Sequence, residues 1–274
     1  METKNFAANI LKFLYRIKVS IFLFLIIISF YFSLSNGRSF ISVSEIFKYS
    51  YSLYTPENSF LFIFVHESLN HLFENIFALL AYAVIIELAL GGLDVLVIFF
   101  FSAIASAIVY LSLNGNATLL GASTGVMGLA ATALFLNLKK AIMLSIAMLI
   151  LVYFIVTPGI SLNLSSEKQQ LESQKISISE ELQIAKIQGD LEKQKVLTSQ
   201  ISGVEAEAMQ IEKGEEFAES TPTSNSAHAF GAFFGLAYLF VFRHNKFREA
   251  AFNLHGVFMG VLRFVGLVKS PKKP

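Results

Sequence analysis

LNHLFENIFALLAYAVIIELAL, residues 69–90, is the stretch on which the reading of this chain turns. As a helix rising 1.5 Å per residue it reaches about 33 Å, enough to cross a hydrocarbon core about 30 Å thick. Yet its first turns carry His71, Glu74 and Asn75. His71 and Asn75 are four residues apart and so share one helical face. Ionisable and amide groups at membrane depth are costly, so they mark a functional site by default.

Comparable apolar blocks occur at 19–35, 93–113, 123–138, 141–157 and 226–242. With 54% apolar and only 15% charged residues in 274, the chain reads as a polytopic, all-α membrane protein of six spans. The first block is longer and more aromatic than the apolar region of a signal peptide and is read as a span. Basic residues punctuate the blocks: Lys4, Lys12, Arg16 and Lys18 before the first, Lys139 and Lys140 after the fourth, Arg243, Lys246 and Arg248 after the sixth. Six spans put all three clusters on one side, which the positive-inside rule makes cytoplasmic. Both termini are then inside, as in a bacterial inner or plasma membrane protein. This basic excess reports orientation, so no nucleic-acid partner is expected. With no Cys, the chain has no disulfide, thiolate metal site or Cys nucleophile.

Three pieces do not span. Residues 36–68 form a long outer loop with aromatics and Arg38. Residues 159–225 form a hydrophilic segment; within it, 165–220 carries twelve Asp/Glu and six Lys. Ser166-Glu167-Lys168-Gln169 reads as a capping box that starts a helix. Leu171, Ile178, Leu182, Ile187, Leu191, Ile201 and Val204 supply an imperfect apolar spacing. Gly189-Asp190 reads as a helix stop followed by an N-cap. The expectation is an extramembrane helical hairpin between spans five and six, closed by a loop at 220–225, able to dock a partner or a second copy of the chain. The tail 247–274 is expected to be amphipathic and basic and to lie in the membrane interface.

Polar groups from three spans reach one layer. Ser123, among Gly121, Gly125 and Gly128, is sixteen residues from Lys139, or about 24 Å of helix. His228 is fifteen from Arg243, about 22 Å, and Asn75 is sixteen from Gly91, about 24 Å. All three therefore lie a similar short distance below the outer surface. A serine hydroxyl is a weak nucleophile and needs a base in reach, which His228 supplies. The oxyanion of a tetrahedral intermediate needs donors, for which His71, Asn75 and the Ser123 N–H are candidates. Gly121, Gly125 and Gly128 on span four, and Gly231 and Gly235 on span six, permit close helix approach.

These motifs resemble the rhomboid intramembrane serine proteases: H-x-x-x-N in the second span, G-x-S at the head of the fourth and A-H-x-x-G-x-x-x-G in the sixth. The resemblance implies a six-helix bundle, a Ser123–His228 dyad without a carboxylate, and oxyanion binding by His71 and Asn75. It implies single-pass transmembrane proteins as substrates in the lipid bilayer, an active site opening to the extracytoplasmic side, and no cofactor. His66 and Glu87 match further frequent residues of the family. The membrane domain would be 1–158 with 226–246. The pattern departs from the family at Thr124, where a Gly usually follows the nucleophile, at Met127, at Asn225, and in the absence of Trp.

Other readings weigh against these. Taken singly, Ser123 is a helix N-cap, His71 and Asn75 are interhelical hydrogen-bonding residues, and His228 is a buried structural histidine. G-x-S-x-G also occurs in α/β-hydrolases, but there it needs a preceding strand. His66-Glu67 and His71 suggest zinc, but these histidines are five apart, about 140° around a helix, and position 70 is Asn. The alternative of another class is a catalytically silent pseudoprotease that binds transmembrane helices.

Overall fold

The computed structural model describes residues 2–220 and 224–265; residues 221–223 of the expected loop and 266–274 of the expected tail lie outside the described residues. The apolar blocks become helices close to their expected bounds, except that the fifth, expected at 141–157, runs from Leu138 on to Gln188. In chain order the helices are α1 (Glu2–Arg16), α2 (Lys18–Ser35), α3 (Val43–Tyr49), α4 (Leu69–Ala89), α5 (Gly92–Leu113), α6 (Ser123–Leu136), α7 (Leu138–Leu151), α8 (Thr157–Gln188), α9 (Leu191–Ser220), α10 (Asn225–Phe242) and α11 (His244–Phe264). Among the described residues there is no strand, only the isolated bridges Phe40–Ser68 and Tyr51–Leu119. Five segments are long and apolar enough to cross a membrane: Lys18–Ser35, Leu69–Ala89, Gly92–Leu113, Leu138–Gln188 and Asn225–Phe242.

The sixth apolar helix, α6, has only 14 residues, about 21 Å against a core of about 30 Å. It is enclosed instead, packing on α4, α5 and α10. Its first residue is Ser123, so a short helix sets that serine inside the bundle.

Glycines govern how closely α6 and α10 approach. A Cβ at Gly231 would strike the Thr124 carbonyl, and one at Gly235 the Gly128 carbonyl. On the other side of α6, a Cβ at Gly125 would lie 2.7 Å from the Phe99 ring of α5. Backbone lies against backbone along this seam, where dispersion contacts hold helices that lipid does not drive together.

Two carboxylates brace the opposite end of the bundle. Asp94, 2% exposed at the start of α5, accepts from Arg243 Nε at 2.7 Å, Arg243 Nη2 at 2.9 Å and Tyr238 Oη at 2.8 Å. This two-pronged pair fixes the far end of α10. Glu87, near the end of α4, accepts from the backbone N–H groups of Val19 and Ser20 at 3.0 and 2.8 Å and from the Ser20 hydroxyl at 2.6 Å. A side chain from α4 thus satisfies the orphan donors at the N-terminus of α2.

Outside the spans the structure corrects two expectations. No helix begins at the expected capping box of Ser166: α7 continues through a π-turn at Val152–Val156 into α8 without interruption. Pro158 lacks an N–H and crowds the preceding turn, which the wider π-turn accommodates. The tip residues Ile187 and Leu191 are 87% and 72% exposed, whereas the seam of the hairpin is Ala185, Leu197, Val204 and Ile211. Gly189 does end α8 with φ +72°, and Asp190 Oδ1 accepts from Lys193 N–H at 3.0 Å. The hairpin is tied to the 36–68 loop: Arg38 pairs with Glu207 at 2.7 Å and Gln210 at 2.9 Å, and Phe47 packs edge-on against Phe217.

A Gly231→Ala variant should therefore lose about 1–3 kcal/mol of stability through overpacking, with a lower melting temperature in detergent. Gly203, on α9 with open space around its Cβ position, is the control. Gly203→Ala should leave melting unchanged or raise it, since Ala is favoured over Gly in a helix by about 0.5–1 kcal/mol.

Candidate active site

Ser123 and His228 meet although 105 residues separate them: His228 Nε2 lies 2.8 Å from Ser123 Oγ. Each sits in the first turn of its helix. Ser224 caps α10, its hydroxyl accepting from Ala227 N–H at 3.2 Å, so the turn carrying His228 starts at a fixed point. Ser123 follows Gly121, whose φ of +92° a residue with a side chain rarely adopts. The same Gly121 leaves room for His71: a Cβ there would lie 2.9 Å from His71 Cε1 and 3.2 Å from its Nε2.

The strand of chain entering α6 hangs from the outer loop. Gly121 N–H donates to the Phe62 carbonyl at 2.9 Å, and Ala122 N–H donates to His66 Nε2 at 3.3 Å. Because Nε2 accepts, the proton of this ring is on Nδ1, 3.3 Å from the Phe64 carbonyl. His66 has no exposed surface. Burial first, and then the neighbouring charge of His71, push its pKa well below the ordinary histidine value, against a weaker opposing effect of the Phe64 carbonyl. The ring is therefore a neutral bridge between the loop and the turn that leads into Ser123.

The His71 ring packs edge-on against His66, centroids 5.0 Å apart. Its Nδ1 lies 2.5 Å from Glu67 Oε2. Asn75 is buried one turn further along α4, and its Nδ2 donates to the His71 carbonyl at 2.9 Å. One amide hydrogen is used in this way and the second is left for another acceptor. Glu74 points to the exposed side of α4. Met127 is half-buried on α6.

All four sequence-derived residues thus lie at this end of α4, α6 and α10, two of them in direct contact. Sequence reasoning missed Glu67. The signal was present in its spacing, four residues before His71, but the pair was weighed only as zinc ligands. Among the described residues no three His, Cys, Asp or Glu side chains gather as metal ligands would.

The family model for the Rhomboid domain matches residues 55–177. Over those residues the chain is similar to a Rhomboid domain, set in a polytopic all-α membrane protein. The match takes in His66, His71, Asn75 and Ser123, while His228 lies beyond it and joins them through the fold. No curated protein and no solved structure gives a significant match.

Keeping His66 neutral has a consequence for pH. Unfolded, this histidine takes up a proton near pH 6.5; folded, it does so only well below that value. Its contribution to stability is complete above pH 6.5. It falls by up to about 1.4 kcal/mol per unit as the pH drops below that, until the folded pKa is reached. Melting in detergent should decline from pH 7 to pH 5, and His66→Gln, which cannot titrate, should decline less.

Proposed function

We propose that this protein is an intramembrane serine endopeptidase that hydrolyses peptide bonds in or near the transmembrane segments of single-pass membrane proteins. The observation that carries the reading is the 2.8 Å contact of Ser123 Oγ with His228 Nε2, made between two helices at one end of the bundle. A histidine in hydrogen-bond reach of a serine at a glycine-bordered helix start is the arrangement an activated nucleophile requires.

In this reading Ser123 Oγ attacks the scissile carbonyl carbon while its proton passes to His228 Nε2. The carbonyl oxygen becomes an oxyanion. Its donors are the free N–H groups of the first turn of α6, His71, and the second amide hydrogen of Asn75. As the intermediate collapses, the C–N bond breaks and His228 returns the proton to the departing amine. A water molecule then attacks the acyl-enzyme with the same histidine as base, releasing the acid and restoring Ser123. No cofactor enters any step.

The membrane domain, residues 1–158 and 226–246, contains all the chemistry in this reading, and the 159–225 hairpin contributes none. The basic clusters support placing both termini in the cytoplasm, with the dyad nearer the opposite surface.

Ser123→Ala and His228→Ala should each abolish cleavage of a transmembrane peptide by the folded protein. The double variant should be no worse than either single, because the two residues act as one unit. Asn75→Ala should lower turnover about 10- to 1,000-fold with little change in KM, as loss of an oxyanion donor does. A fully folded protein that cuts no substrate would favour the helix-binding pseudoprotease instead.

A further inference from the structure

The proposed chemistry leaves one buried carboxylate at the site without a role, that of Glu67. Glu67 lies just before Ser68, the N-cap of α4, with its side chain only 9% exposed. Its backbone carbonyl accepts from Ile41 N–H at 3.0 Å, which fixes the residue against the outer loop. Among the described residues, His71 is the only group bonded to its carboxylate, at 2.5 Å from Oε2 to Nδ1. Burying a carboxylate on a single partner is costly unless that partner provides charge-assisted donation.

The tautomer rules make this contact decisive. A neutral imidazole has one N–H and one lone pair. With Glu67 accepting at Nδ1, a neutral His71 would present the lone pair of Nε2 toward the Gly121 turn that leads into Ser123. A lone pair repels an oxyanion. With Glu67 ionised, His71 can donate from Nε2 while bonded to it only as an imidazolium, with a proton on both nitrogens. The titratable groups around the ring are Glu67 before the helix, the exposed Glu74 on α4, the neutral His66 in the loop and His228 on α10. When His228 takes the serine proton, a second cation forms close by, and a fixed carboxylate on the far side of His71 offsets the repulsion.

We propose that Glu67 is the positioning residue of the oxyanion site, holding the His71 ring and supplying the counter-charge that makes Nε2 a donor. The inference rests on the proposed protease reading. The carboxylate takes no proton from His71 and forms no bond to substrate; it acts through the ring, as the acidic member of a serine-protease triad acts through its histidine.

Glu67→Gln keeps the shape and an acceptor oxygen but removes the charge, while Glu67→Asp keeps the charge on a shorter stem. Turnover of a transmembrane peptide by wild type and both variants, with melting temperature as a check on folding, separates the cases. The expected result is kcat reduced about 10- to 100-fold in Glu67→Gln, KM within about 2-fold, and kcat closer to wild type in Glu67→Asp. Wild-type kcat in Glu67→Gln overturns the proposal while leaving the protease reading intact. So does equal loss in both variants with KM raised in parallel, which marks a merely structural contact. A variant-independent reading comes from 15N-histidine spectra of the Ser123-phosphonylated wild type, in which both ring nitrogens of His71 should be protonated. A single protonated nitrogen there also overturns the proposal. If wild type neither cuts nor reacts, the protease reading fails, and the role of Glu67 falls with it.

Discussion

The distance between α6 and α10 is the constraint on which the site depends. A hydrogen bond of 2.8 Å between a short side chain on one helix and an imidazole on the other leaves little tolerance for helix separation. Gly128 and Gly231 and Gly235 set that separation by having no side chain at the seam. In lipid, where apolar surface gains nothing by leaving the solvent, such backbone contact is what holds helices together. Stability and the proposed chemistry therefore draw on the same few residues. A methyl group at the seam would weaken the fold and part Ser123 from His228 at once.

Contacts at the two ends of the bundle divide the work. At the end away from the dyad, Asp94 holds Arg243 and Tyr238, and Glu87 holds the start of α2. Each carboxylate has several donors, as buried charge requires. At the dyad end the polar groups are paired more sparingly. Asn75 keeps an amide hydrogen in reserve, and Ser123 and His228 are bonded to one another while only half-buried. A braced far end lets the working end remain underbonded. Glu67 and His66 stand between these extremes, as buried groups whose partners orient the residues around the serine.

Much of this was legible in the sequence, because the membrane imposes length and polarity on each span. Five of the six apolar blocks match helices nearly to their ends, while the fifth runs on to Gln188, and Ser123, His228, His71 and Asn75 stood out as polar groups at one depth. What escaped was set by contacts between segments or by backbone detail. Glu67 was visible as a neighbour of two histidines, but which nitrogen it faces depends on the turn that Ile41 and Ser68 impose on it. The Ser166 capping box was a real pattern that the chain does not use, since the helix from α7 is already running and needs no new start. Side-chain spacing in 171–204 left the hairpin register open, and only packing of α8 on α9 selects Ala185, Leu197, Val204 and Ile211 as its seam.

The central claim, part of the proposed function, is that the fold brings His228 close enough to Ser123 to make it a nucleophile. Reaction of the purified protein with a fluorophosphonate, which bonds covalently to activated serines, tests it without requiring a substrate to be known. The account predicts one adduct, on Ser123, in the wild type, and none in a folded His228→Ala variant. Labelling of His228→Ala at the wild-type rate would contradict it.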